Sequence, residues 1–137
     1  MRVARSAGEP ANAGVVGIGT DLVDVDRFRT VLRRRPSVAE RLFTANERTY
    51  AHRAVDPAAR LAARFAAKEA ALKALGYGLG GMRMAEIEVV RDDDGRPEIL
   101  LHGAARSRAA EHGVSRWLVS LSHTDRLAQA TVVALAR

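Results

Sequence analysis

A handful of ionisable side chains stand where residue type and spacing could do chemistry. Asp21 ends a Gly17-x-Gly19-x-Asp21 run, a context in which a carboxylate at a strand end can project into a cleft. Arg64, Lys68, Glu69 and Lys73 crowd one short segment, and His123 closes Ser120-Leu121-Ser122-His123. The chain contains no cysteine, which excludes thiolate nucleophiles, disulfide frameworks and zinc ribbons together. Its four histidines, His52, His102, His112 and His123, lack ligand-pair spacing, so any metal must be held by oxygen. Asp24 and Asp26 compete with Asp21 for the role of turn former or helix cap.

Lys68 is the most conspicuous of these residues. On a helical wheel Leu61, Phe65, Leu72 and Leu75 share one stripe, and Lys68 falls in its middle. Burying an ammonium without a partner costs on the order of several kcal/mol, so Lys68 either snorkels along the stripe to solvent or has an anion waiting for it. Glu69 and Lys73 are spaced as an i,i+4 ion pair worth about 0.2–0.5 kcal/mol. Arg64 and Lys68 form a like-charged i,i+4 pair, unfavourable unless an anion bridges them. Two such oddities on one helix favour an anion site.

These side chains need a framework, and the 137 residues, 47 % apolar, suffice for one packed domain. Residues 1–13 are polar and aperiodic and read as a disordered tail, leaving 14–137 as a single domain. Val15 to Gly19 reads as a short buried strand closed by Thr20-Asp21, its glycines placed where the backbone passes close to something. Val25, Phe28 and Leu32 give the next helix an apolar stripe, with Arg27, Arg29 and Arg33-Arg34-Arg35 off it and Pro36 at its end. Thr44 and Glu47 form a capping-box pattern opening a helix from Ala45 to about Arg53. Asp56 as N-cap and Pro57 at the first position open a long alanine-rich helix to Leu75, with Gly76 as its cap.

A glycine-rich loop, Gly78 to Gly81, follows, and then the period changes from helix to strand. Ile87 and Val89 alternate with acids, Asp94-Gly95 supplies a hairpin turn, and Ile99 and Leu101 return. A helix from about Ala104 to His112, capped by Gly113, precedes a strand through Trp117, Val119 and Leu121. After a turn at 124–126, Leu127 to Leu135 forms a last strand. The expected class is α+β, a mostly antiparallel sheet packed against one long helix.

Net charge is +6, and of 22 basic residues only Lys68 and Lys73 are lysines. Arginine's planar fork suits carboxylate and phosphate, so an acidic macromolecule or a phosphorylated ligand is the expected partner. Aromatics make up only 4 %, which leaves few stacking platforms for single-stranded nucleic acid. No long apolar run and no secretory leader are present, so the expected compartment is the cytoplasm, with no membrane partner.

Taken together, Gly17-Ile18-Gly19-Thr20-Asp21-Leu22-Val23, Leu42-Phe43-Thr44 with Glu47, Arg64-Phe65-Ala66-Ala67-Lys68-Glu69-Ala70-Ala71 continuing to Gly76, and Ser120 to His123 resemble the holo-acyl-carrier-protein synthases, small bacterial 4′-phosphopantetheinyl transferases. The resemblance runs from about Gly14 to the end. It implies the phosphopantetheinyl transferase fold and transfer of the phosphopantetheine arm of coenzyme A to a serine of an acyl carrier protein, releasing adenosine 3′,5′-bisphosphate. It implies Mg²⁺ held by Asp21 and Glu69, and CoA phosphates near Arg64, Lys68 and Lys73. His123 matches a position near nucleotide and metal, and Gly76 and Gly78 lie in a loop expected close to the cofactor. Glu69, directly or through a water, or alternatively His123, would act as general base, and Arg27 and Arg34 would meet the acidic carrier. Phe65 replaces the tryptophan of many members and keeps an aromatic anchor. A homotrimer with sites between protomers is implied as well. A nucleic-acid module would use the same arginines without needing Asp21, Glu69 and Lys68 in these contexts, and a non-catalytic carrier-binding domain would lose the acids.

Overall fold

The computed structural model describes residues 14–77 and 81–137. The expected tail at 1–13 and the loop residue Gly78 lie outside them.

Strand β1 (Val15–Asp24) runs past Thr20-Asp21, where a stop was expected. Its length is set by its partner, β5 (Leu127–Leu135), with which antiparallel register continues from Asp21↔Ala130 to Asp24↔Leu127. Asp21 is therefore inside a strand rather than at its end. β5 pairs on its other edge with β4 (Arg116–His123), giving an antiparallel sheet of order β1-β5-β4. β2 (Ile87–Arg91) and β3 (Pro97–Leu101) form a separate antiparallel hairpin, turned at Gly95 with φ +79°. The fold is α+β as expected, with two sheets in place of one.

Helix α1 (Val25–Arg34) begins at Asp24, whose carboxylate accepts from the Arg27 amide at 2.9 Å. That settles the competition among the three aspartates in favour of Asp24 as cap. Pro36 ends α1 but also opens a short helix, α2 (Ser37–Leu42), which periodicity could not reveal in fewer than two turns. At the head of α3 (Ala45–His52) the capping box forms reciprocally between Thr44 and Glu47. The long helix α4 (Pro57–Ala74) starts at Pro57, but Asp56 makes no side-chain cap bond, because its carboxylate takes Arg29 of α1 instead. Gly76, with φ +80°, ends α4: its amide donates to Lys73 and that of Tyr77 to Leu72, a paired glycine cap. α5 (Gly103–Glu111) closes in the same way on Gly113.

What lets α4 lie on the sheet is the absence of side chains between them. A Cβ on Gly17 would sit 1.8 Å from the Ala74 carbonyl oxygen, and one on Gly19 1.8 Å from that of Ala70. On the helix Ala66, Ala67 and Ala70, and on β5 Ala128, Ala130, Val132 and Ala134, are fully buried. One core cluster joins these to Phe28, Phe43, Ile87, Val89 and Ala105. The outer face of the three-stranded sheet carries exposed Ile18, Leu22 and Leu118 around a polar centre in which Gln129 donates to Thr20 and Thr131. Among the described residues no helix is long and apolar enough to cross a membrane.

Candidate active site

The close seat of α4 on β1 brings Asp21, Glu69 and Lys73 together. Residues 69 and 73 are one turn apart on α4 and face the strand. Lys73 does not make the local bond to Glu69 that its spacing suggests; its Nζ donates to Asp21 Oδ1 at 3.2 Å and to the Thr20 carbonyl at 3.0 Å. Glu69 is buried, and its Oε1 has no hydrogen-bond partner. Burial is the main cause that raises its pKa above the ordinary value; the Asp21 carboxylate adds to the rise and Lys73 opposes it.

The three side chains line a cleft of about 720 Å³ between β1, α1 and α4. Arg27 and Tyr77 also face it, and Phe28 and Phe65, stacked with ring centroids 5.2 Å apart, form its apolar wall. One end is thus charged and the rest apolar, which suits a ligand with a phosphate head and an aliphatic arm. Sequence reasoning missed this wall: α2 was unseen, and the stripe on α1 shows only that Phe28 is buried, not against what.

Lys68 and Arg64, both expected near phosphates, do not line this cleft. Lys68 is completely buried and does not reach the cleft. Its three N–H groups donate to Glu47 Oε1 at 2.7 Å and to the carbonyls of Met84 at 2.9 Å and Ile87 at 2.6 Å, leaving none for a phosphate. The anion that its position calls for is Glu47, from a helix 21 residues back in the chain. Glu47 also accepts from the Val89 and Thr44 amides. The capping box marked Glu47 in the sequence, but nothing local marked its second partner. Burial lowers the Lys68 pKa, with Glu47 opposing that effect.

Arg64 is also buried and lies outside the cleft, its guanidinium 4.2 Å from the Tyr50 ring centroid, with Arg60 at 4.4 Å from the same ring. Its Nε lacks a hydrogen-bond partner, and burial lowers its pKa. His123 is exposed on β4 in register with Ala128, which pairs in turn with Val23, so one chain alone does not carry it to Asp21. Arg34 is exposed on the last turn of α1, and Gly76 is the α4 cap.

Among the described residues no three His, Cys, Asp or Glu side chains gather as a metal cage. A magnesium ion does not need one, since it is commonly held by one or two carboxylates, waters and substrate phosphates. The unpartnered Glu69 oxygen beside the Asp21 carboxylate fits that donor set.

Comparison with known proteins gives a consistent result. Residues 17–133 match the model of the 4′-phosphopantetheinyl transferase superfamily. The holo-(acyl-carrier-protein) synthase of Streptomyces avermitilis is 47 % identical over 120 residues, covering 88 % of this chain and 97 % of the relative. The crystal structure of that synthase from Neisseria meningitidis superposes with a TM-score of 0.81 at 35 % identity, covering 88 % of this chain and 98 % of the other. The Bacillus anthracis synthase, solved in complex with CoA (3′,5′-ADP), superposes with a TM-score of 0.75 at 33 % identity, covering 91 % and 100 %.

Proposed function

The chain belongs to the 4′-phosphopantetheinyl transferase superfamily, and from that premise we propose that it moves the phosphopantetheine arm of coenzyme A onto a serine of an apo acyl carrier protein, through the cleft of Asp21, Glu69 and Lys73. The convergence of two carboxylates and a lysine at the charged end of an apolar cleft is the observation that carries this reading. The serine oxygen bonds to the phosphorus bearing the pantetheine, and the bond from that phosphorus to the 5′-phosphate oxygen breaks. Adenosine 3′,5′-bisphosphate leaves.

Asp21 and Glu69 would hold Mg²⁺ here, and the ion when bound would neutralise the diphosphate and the charge that develops on the leaving group. Lys73, half exposed at the cleft, is placed to bind a phosphate oxygen. Glu69, with its raised pKa, is suited to accept the serine proton. The apolar wall of Phe28 and Phe65 suits the pantetheine arm and excludes water from it. Arg27 lines the cleft at the start of α1 and Arg34 stands at its other end, which supports reading this helix as the surface that would meet an acidic carrier.

We also read the working form as a homotrimer in the cytoplasm. Ile18 and Leu22, 65 % and 62 % exposed on the outer sheet face, support a covering partner, and His123 would serve a neighbouring copy's cleft from its exposed strand end.

The test is mass spectrometry of an apo carrier protein incubated with this protein, CoA and Mg²⁺. A gain equal to the phosphopantetheine group is expected from the wild type, and none from Asp21→Ala or Glu69→Ala. Near-normal turnover by either variant would remove the two-acid site.

A further inference from the structure

Two carboxylates and one ammonium share the charged end of the cleft, and the ammonium is unevenly placed between them. Lys73 bonds to Asp21 and to the Thr20 carbonyl, both on β1, and leaves Glu69 Oε1 without a partner, although Glu69 is one turn away on its own helix. The two members of the ion pair also differ in exposure. The Lys73 side chain is 53 % exposed and that of Asp21 18 % exposed, so the lysine can swing into solvent on its flexible stem while the acid stays fixed in the strand.

We propose that Lys73 is a resident counter-cation: it neutralises Asp21 in the free protein, and a divalent cation held by Asp21 and Glu69 would repel it from Asp21 toward the diphosphate. The proposal rests on the reading of Asp21 and Glu69 as the metal pair. Lys73 holds only Oδ1 of Asp21, so a divalent ion taken up by the other carboxylate oxygen would lie close to the ammonium, and the two cations repel. Cation binding to the free protein therefore competes with the Lys73–Asp21 contact and is weakened by it. Once displaced, the ammonium on its flexible stem would remain at the charged end of the cleft, where it could meet the phosphate oxygens. Metal and diphosphate then reinforce each other, because the same displacement frees a ligand for each. Lys73 thus has a positioning role in addition to phosphate binding.

Mn²⁺ binding to the CoA-free protein, followed by loss of the paramagnetic resonance spectrum of free aqueous Mn²⁺ at low ionic strength, tests this directly. Lys73→Met keeps the stem and removes the charge, and it should tighten Mn²⁺ by at least about threefold. Lys73→Gln, which keeps a polar head, should tighten it as well. Arg83→Met supplies the control, because Arg83 lines a neighbouring cleft that Glu69 shares and Asp21 does not; it should change Mn²⁺ affinity by less than about twofold. Equal or weaker Mn²⁺ binding by both Lys73 variants would overturn the proposal. So would equal tightening by Arg83→Met, which would reduce the effect to the general field of nearby cations. The wild-type carrier assay is read separately: transfer without tightening rejects the counter-cation alone, and tightening without transfer rejects the transferase reading alone.

Discussion

Burial sets the character of Glu69 before any substrate arrives. Its carboxyl is pushed above its ordinary pKa chiefly by desolvation, with Asp21 adding to the shift. A carboxylate whose folded-state pKa lies above its unfolded value favours folding fully only below the unfolded value, near about 4.3, and that contribution is lost as pH rises through the folded value. The Glu69→Gln variant should therefore melt at a higher temperature than wild type at neutral pH. The difference should shrink toward zero as pH falls below about 4. Thermal unfolding of both proteins across that range checks it, and a difference independent of pH would show that ionised Glu69 is not under strain. Millimolar Mg²⁺ should raise the melting temperature of wild type and leave that of Glu69→Gln nearly unchanged, because a ligand stabilises only the state that binds it.

Two contacts between elements decide whether the cleft exists. The first is the Lys68–Glu47 pair, which ties α4 to α3 and, through the Met84 and Ile87 carbonyls, to the start of β2. Both side chains are wholly buried, and removing one partner of such a pair typically costs about 3–5 kcal/mol, because the other charge is left alone. Lys68→Met should accordingly lower the urea midpoint sharply while the folded fraction keeps its CoA affinity. Unchanged stability with weakened CoA binding would restore Lys68 to the phosphate site. The second contact is the glycine seam of β1. Gly19→Ala would drive a methyl into the Ala70 carbonyl, a backbone atom that cannot rotate away. The expected loss is at least about 3 kcal/mol, the upper end of ordinary overpacking, with weaker Mn²⁺ binding as Asp21 and Glu69 move apart. A midpoint within error of wild type would mean that α4 and β1 can separate without cost.

Charge and exposed apolar surface act on the scale of the whole molecule. The net charge of +6 makes a long-range field that would attract an acidic partner, and Arg27 brings part of it to the cleft. Arg34→Glu, at an exposed position outside the cleft, should raise the KM for the carrier several-fold and leave that for CoA in place, and the wild-type carrier KM should climb with added salt. A carrier KM indifferent to both changes would exclude α1 as the docking surface. On the opposite side of the sheet Ile18, Leu22 and Leu118 are exposed together. On the trimeric reading proposed above, Ile18→Asp should lower the mass seen by light scattering to that of a monomer and lower transfer with it, since no neighbour would then supply His123. A variant that remains trimeric would place the interface elsewhere.

Sequence alone determined what is local. Caps written in a few neighbouring residues, Thr44 with Glu47 and Gly76 after the alanine-rich run, fixed where helices begin and end, because the atoms that satisfy those backbone groups lie within a turn. Alternation in 87–101 and at Trp117, Val119 and Leu121, and the nearly continuous apolar run of 127–135, marked the strands for the same reason: the side-chain period of a strand is a property of the chain itself. The motif of residues 64–76, with Asp21 far upstream, marked Asp21, Arg64, Lys68, Glu69 and Lys73 as candidates, of which Asp21, Glu69 and Lys73 line one cleft. Only the tertiary structure decided the partners. Lys68 had two readings on its wheel, and the choice between them belonged to Glu47, which no spacing rule connects to it. β1 runs on to Asp24 because β5 continues to pair with it, and Asp56 gives up its capping bond because Arg29 arrives from α1. Arg64 shares a motif with Glu69 yet faces Tyr50, since residues five apart on a helix point to different sides. Helical and strand periods constrain which side of an element is buried, and long-range packing alone determines which charge on that side meets which.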